Sequence, residues 1–446
     1  MPGFGALKRA WEATQVELHG QYSSKRLQQF RDYCHHASLL RVLGVLLFTP
    51  VPCIAVVLLT DAIPIEAPEK GLSGSFTFWI RLSIATGIIS GGVLEQFPTT
   101  VSTLPLGRCH VVGLTAANVI VTAGSAIAIA YAVGFPIPFT FVVLCVPWGI
   151  TIVSTLWWLL HEHLRDHPED MRELRRYLLV LMAQMVLTVI YPAYNYVFVH
   201  LSSANQTAFA TLLPLIKISA KNAVAYALRE KDDLKPEAVI LNVEVFNSLL
   251  MVCCMQGSTS IHATLVLMGA DFLQACWSLR DLHVMLKSIP DGATPDRCLA
   301  KGEFWLDQTL KILFLLEFVL LVEFTETIVP IIYSVFVFMA LRLPNREFYS
   351  QFIGATDDAV VHQLQNVLTY SALEFASLVA LQLMLRRYVR LSPLHLLAFV
   401  LEKHMNMVQS HLNAWFQITV NMMLFHFGTD FSFKFAWLSQ ARTVDE

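Results

Sequence analysis

The feature that most constrains this chain is a succession of long apolar runs separated by short polar breaks. They lie at 39–59, 76–94, 111–133, 139–160, 177–201, 208–228, 239–255, 261–279, 310–338, 366–385 and 412–427. Most are close to the ~20 residues with which a helix crosses a ~30 Å hydrocarbon layer. Lipid offers no hydrogen-bond partner, so each run must satisfy its own backbone, which only a helix does within one segment. Composition agrees. The 446 residues are 55% hydrophobic and 15% charged, against about 25% charged in ordinary soluble domains, and mean hydropathy is +0.55. The expected fold class is all-α: a polytopic integral membrane helical bundle with about 11 (10–11) transmembrane helices.

Three runs are irregular. Run 208–228 contains Lys217 and Lys221. Run 310–338 is long, carries Glu317, Glu323 and Glu326, and should bend at Pro330. Run 412–427 is short, and the stretch 391–411 before it reads as lying along the membrane interface.

Basic residues sort the connections into two sides. With the N-terminus in the cytosol, alternate connections hold about 21 Lys and Arg on the cytosolic side and about 3 on the other, as positive-inside sorting requires. A missed or surplus run in the middle of the series would destroy this alternation. Trp79, Trp157, Trp158 and Trp277 stand near run ends, where interfacial aromatics belong. The first apolar run begins too late for an ordinary signal peptide and should act as a signal anchor.

In chain order this gives a cytoplasmic N-terminal segment (1–38) and a first membrane bundle (39–279) of about 8 spans. A cytoplasmic linker (280–309), rich in turn residues around Pro290 and Pro295, leads to a second bundle (310–427) of two or three spans and a tail (428–446).

Ionisable side chains inside a bilayer are costly and mark function or a partner. Asp271 and Glu374 fall mid-run; Glu244, Glu317, Glu323 and Glu326 are the other acids within runs, and Lys217 and Lys221 the bases. Lys217 and Lys221 are four apart and share a helix face, as do Glu323 and Glu326, three apart. The expected polar site pairs Asp271 or Glu374 with one of these lysines. The bland alternative is that the charges tie helices together or snorkel to an interface.

Other chemistries find little footing. The eight cysteines form no Cys-x-x-Cys pair and mostly sit in apolar runs, so neither a disulfide framework nor zinc is expected. His161, His163 and His167 lack the further histidine clusters of a membrane di-iron enzyme, and no His-Glu-x-x-His, phosphate loop or nucleophile elbow occurs. No cofactor, no metal and no catalytic set is expected. A net charge of −3 without a basic tract argues against nucleic acid.

Several stretches carry a resemblance: Gly20-Gln21-Tyr22-Ser23, Thr49-Pro50-Val51-Pro52, Phe135-Pro136-Ile137-Pro138-Phe139, Tyr191-Pro192-Ala193-Tyr194, Leu213-Pro214-Leu215-Ile216-Lys217, Ser371-Ala372-Leu373-Glu374-Phe375 and Ser392-Pro393-Leu394. Through them nearly the whole chain resembles a large family of multi-pass transmembrane proteins of oomycetes, water moulds of the Phytophthora type. The resemblance implies a membrane bundle, carries over no catalytic residue, and favours Lys217 and Glu374 as features of the bundle.

The expected function is that of a transporter or channel-like protein for a small solute or ion, with the lipid bilayer as its surroundings. The rival is a membrane receptor or scaffold acting through the N-terminal segment and the cytoplasmic loops.

Overall fold

The computed structural model describes residues 14–101, 103–257, 303–389 and 392–428, with the single positions Gly269 and Arg280. These residues are predominantly helical and form no named strand. The principal helices are α1 (Ser24–His36), α2 (Leu39–Asp61), α3 (Phe76–Thr100), α4 (Arg108–Val133), α5 (Thr140–Asp166), α6 (Pro168–His200), α7 (Asn205–Ala227), α8 (Asp232–Gln256), α9 (Glu303–Ala340), α10 (Asp357–Val389), α11 (Pro393–Lys403) and α12 (Met405–Met422). Eight of them, α2–α8 and α10, are long and apolar enough to cross a membrane. The finer count of about eleven is not reached: α9 and α12 are outside the eight, and run 261–279, with Asp271, lies outside the described residues, as do most of the linker 280–309 and the tail from 429.

Local chemistry sets the helix boundaries. Ser23 caps α1 by accepting from the Arg26 N–H at 3.1 Å, and Ser38 caps α2 from the Arg41 N–H at 3.3 Å. Pro50 coincides with a break in α2 between Leu39–Phe48 and Val51–Asp61. Pro192 and Pro330 are accommodated inside α6 and α9. α8 contains a π-helical turn at Ile240–Glu244, a local under-wound register that often marks a specialised site.

Hydropathy alone does not reveal what a helix faces. α4 and α8 have nearly equal apolar windows, yet 22% of the α4 window is buried against 94% of that of α8. α4 presents Val112, Ile120, Val121, Ile127 and Tyr131 outward, an apolar face that water would not tolerate. α8 buries instead Glu237, Asn242, Glu244, Asn247 and Ser248 among its apolar residues.

The helices pack as two compact units that do not follow chain order. The first comprises Met1–Val51, Phe198–Ile332 and Gln365–Val408; the second comprises Pro52–Val197, Tyr333–Leu364 and Gln409–Glu446. In the first, the N-terminal segment docks by its own side chains. Tyr22, Arg26, Leu27 and Phe30 are buried, Phe30 packs on Phe399 of α11, and the Tyr33 hydroxyl donates to Glu402 at 3.0 Å. Arg41 also pairs with Glu402. That hydrogen bond from Arg41, opposed by some burial, holds the Glu402 carboxyl below its ordinary range. A carboxylate with a depressed folded pKa adds stability above its unfolded pKa and loses it as pH falls through the folded value. The pair is largely exposed, so Glu402→Gln should cost less than about 1 kcal/mol at pH 7. In thermal melts that gap should close below about pH 4.3.

In the second unit, α3, α4 and α5 form consecutive antiparallel neighbours. Gly87 and Gly91 of α3 lie against Val119 and Thr115 of α4, a small-residue seam of the kind that lets membrane helices approach closely. α12 runs antiparallel along the same α3. Gln96 meets His411, Gly92 meets Ser410, Arg81 meets Asn421, and Phe78 stacks on His426. Its 18 residues extend about 27 Å. A Cβ at Gly92 would stand 3.2 Å from the Ser410 Cβ. Gly92→Leu should therefore destabilise the detergent-solubilised protein by about 1–3 kcal/mol of overpacking, measured by equilibrium unfolding.

The connections of the second unit gather into two groups. Thr103 and His163 both bond Asp170, at 2.6 and 2.8 Å, joining the connections that the basic residues assign to the cytosol. At the other end of α3, Asn345 donates to the Asp61 and Ile63 carbonyls, His426 bonds the Glu66 carbonyl, and the Phe139 N–H donates to the Gly428 carbonyl. Gly428 has φ +57°, and a Cβ there would sit 2.2 Å from the Ile137 carbonyl oxygen, so only glycine fits.

Candidate functional site

Two buried ionic clusters lie in the first unit. In one, Lys217 and Lys221, a turn apart on α7, face the π-helical turn of α8. The Lys217 ammonium is 2.9 Å from Glu244 Oε2 and donates to Glu326 Oε1 of α9, also at 2.9 Å. Lys221 pairs with Glu244 Oε1 and lies over the Phe318 ring at 5.5 Å. Two cations face two carboxylates, all four buried. Such a set persists away from water only because each charge meets its opposite at contact distance.

The second cluster is built around Arg26. Gly20 brings the backbone against Phe314: a Cβ there would fall 2.4 Å from the ring. Tyr22, next to it, lies under the Arg26 guanidinium at 4.8 Å. Ser23 ties the segment down, its N–H donating to Asp233 at 2.7 Å. Arg26 then reaches inward. Its Nη1 donates to the Asp233 carbonyl, and its Nη2 serves both Glu237 Oε1 of α8 and Glu317 Oε1 of α9, the latter at 2.7 Å. His404 Nε2 stands 3.2 Å from Glu237 Oε1.

The second unit holds neutral polar contacts around one charged knot. Arg81 of α3 donates through Nη1 to Asp61 of α2 at 2.8 Å, through Nε to Asn421 of α12 at 3.1 Å, and through Nη2 to the Tyr349 hydroxyl at 3.4 Å. Tyr349 donates in turn to Asp61 at 2.6 Å. Midway along the helices, the Trp148 indole donates to Ser90, Ser90 to Asn118, and Asn118 to the Trp148 carbonyl, a closed ring across α3, α4 and α5. Beside it lies a cavity of about 90 Å³. Its polar lining is Thr86, Gln96, Thr122, Gln184, Thr188 and His411; the rest is mostly apolar and aromatic, with Trp148 and Trp415. The two ring nitrogens of His411 each stand 3.4 Å from an amide, Gln96 and Gln184, and Tyr177 donates to Gln96 at 2.6 Å.

Of the residues singled out in the sequence, Lys217, Lys221, Glu244 and Glu326 come together, while Glu317 belongs to the Arg26 cluster. Glu323 and Glu374 are buried in the same unit. Asp271 lies outside the described residues. Sequence reasoning passed over Arg26, Glu237 and His404 because they lie in polar stretches. A signal existed: Arg26 and Phe30 are four apart and share a face of α1, with the aromatic Tyr22 just ahead of the helix. Asp61 was missed because it directly follows an apolar run and reads as loop. The cavity has no sequence signature, since Thr86, Gln96, Gln184 and His411 come from three distant segments. No protein-family model matches this chain, and neither a curated protein nor a solved structure is similar to it.

Proposed function

We propose that this is a multi-pass membrane protein of transporter or channel type that passes a small solute through the second unit. The observation that carries the reading is the cavity at mid-helix depth, whose mostly apolar wall holds a few polar side chains. A mostly apolar hollow among helices, with a few convergent hydroxyl, amide and imidazole groups, is the usual make-up of a small-solute site. Among the described residues no Asp, Glu, Lys or Arg lines it, which points to an uncharged solute. In this reading α9 and α12 also cross the bilayer, the basic connections face the cytosol, and the ion clusters of the first unit hold helices together. Kinship with the oomycete membrane family is proposed on the sequence motifs alone.

Glycerol and urea are suitable probes. Vesicles containing the purified protein should swell faster in either than empty vesicles, followed by stopped-flow light scattering. Ala414→Phe, which fills the cavity from α12, should return the rate to that of empty vesicles while the unfolding transition stays in place. Unchanged swelling in Ala414→Phe, or none with the wild type, would move the reading to a receptor or scaffold. That second reading is favoured by the docked helix α1, whose exposed Lys25, Arg31 and Asp32 offer a surface to a partner.

A further inference from the structure

The Arg26 cluster does not balance. One guanidinium nitrogen serves two carboxylates, Glu237 and Glu317, and all three side chains are about 1% exposed or less. Glu237 Oε2, Glu317 Oε2 and Arg26 Nε have no hydrogen-bond partner among the described residues. A second, uncompensated carboxylate in such a place would cost several kcal/mol. The surrounding elements supply little relief. Asp233 adds a further negative charge while bonded to Ser23, Lys403 of α11 acts from an exposed position, and the Tyr22 ring offers only its face. His404 is the remaining titratable neighbour among the described residues, and burial holds its imidazole below the ordinary range, disfavouring the charged form.

We propose that Glu237 and Glu317 share one proton beneath Arg26, making this arginine–dicarboxylate cluster a proton-binding site coupled to the seating of the N-terminal helix α1. The proton resides on Glu317. Each acid has one oxygen without a partner, but Glu237 Oε1 meets both Arg26 and His404, whereas among the described residues Glu317 meets Arg26 alone. The coupling follows from counting. With Arg26 in place the acids hold one proton; with Arg26 withdrawn both lack a cation and hold two. Unseating α1 therefore takes up one proton, and by linkage acidification favours unseating.

Infrared spectroscopy of the full-length protein in vesicles at neutral pH reads the proton directly, as a protonated-carboxyl stretch that shifts on glutamate isotope labelling. Glu237→Gln and Glu317→Gln should each abolish that band, because the acid left behind becomes the sole counter-ion of Arg26. Arg26→Met should strengthen it and speed tryptic cutting at Lys25 and Arg31. A band retained in both glutamine variants, or lost in only one of them, would overturn the shared proton. Should the variants fail to fold, the wild type alone still decides the coupling. Cutting at Lys25 and Arg31, normalised to cutting at exposed Arg172, should rise as pH falls, and a ratio that does not change with pH would overturn it.

Discussion

Lys217→Met is expected to lower stability by about 3–5 kcal/mol, the usual consequence of removing one partner from a buried ion pair. Lys217 touches both Glu244 and Glu326, so its loss breaks two ion pairs at once and leaves Lys221 as the cation opposite Glu244. Lys221→Met should cost less, because both acids keep contact with Lys217. Adding Glu326→Gln to Lys217→Met should recover most of the loss, as it removes the carboxylate that the missing ammonium served. Equilibrium unfolding in mixed micelles measures all three variants. Equal losses for the two single variants, or no recovery in the double, would show that Lys217 does not bridge.

Arg81→Met should be as severe in the second unit, again about 3–5 kcal/mol. Arg81 and Asp61 are 1% exposed or less, and the guanidinium spends separate donors on Asp61, Asn421 and Tyr349. Removing it leaves a carboxylate with only a phenol and an amide as partners, Tyr349 and Asn345. Asp61→Asn combined with Arg81→Met should be milder than Arg81→Met alone, since replacing a whole buried pair by neutral groups is often tolerated. Because Arg81 immediately precedes Leu82 of the cavity wall on α3, the single variant should also disturb the glycerol flux that the proposed function requires. Severe loss in the double variant would assign the effect to packing rather than to charge.

How far this architecture is legible in the sequence depends on which physical force sets each part. Transfer to lipid depends on composition over about 20 residues, and so the apolar runs mark α2–α8 and α10 well. Helix ends depend on capping and on solvated turns beyond the apolar run, and so α5 and α6 extend through Asp166 and from Pro168 into the charged stretch that the runs left out. What a helix faces depends on its neighbours: the near-equal hydropathies of α4 and α8 say nothing of one being largely outward-facing and the other enclosed. The grouping into units is likewise set by contacts, and each unit is assembled from three separate stretches of the chain. Lys217 and Lys221 were legible because a charge stands out inside an apolar run. Arg26 and Glu237 did not stand out, because in a polar stretch nothing distinguishes a buried charge from a solvated one.

The central claim is that the connections lie on two sides of a membrane, sorted as the basic residues and the packing of the second unit both group them. Single cysteines in a cysteine-free background, labelled in intact vesicles of known orientation by a reagent that does not cross lipid, test it most directly. The account predicts that the exposed positions Thr103 and Glu169 share one side, while the exposed positions Glu69, Glu347 and Phe425 share the other. Labelling of Glu169 and Glu347 from the same side, or of all five positions from both sides, would contradict it.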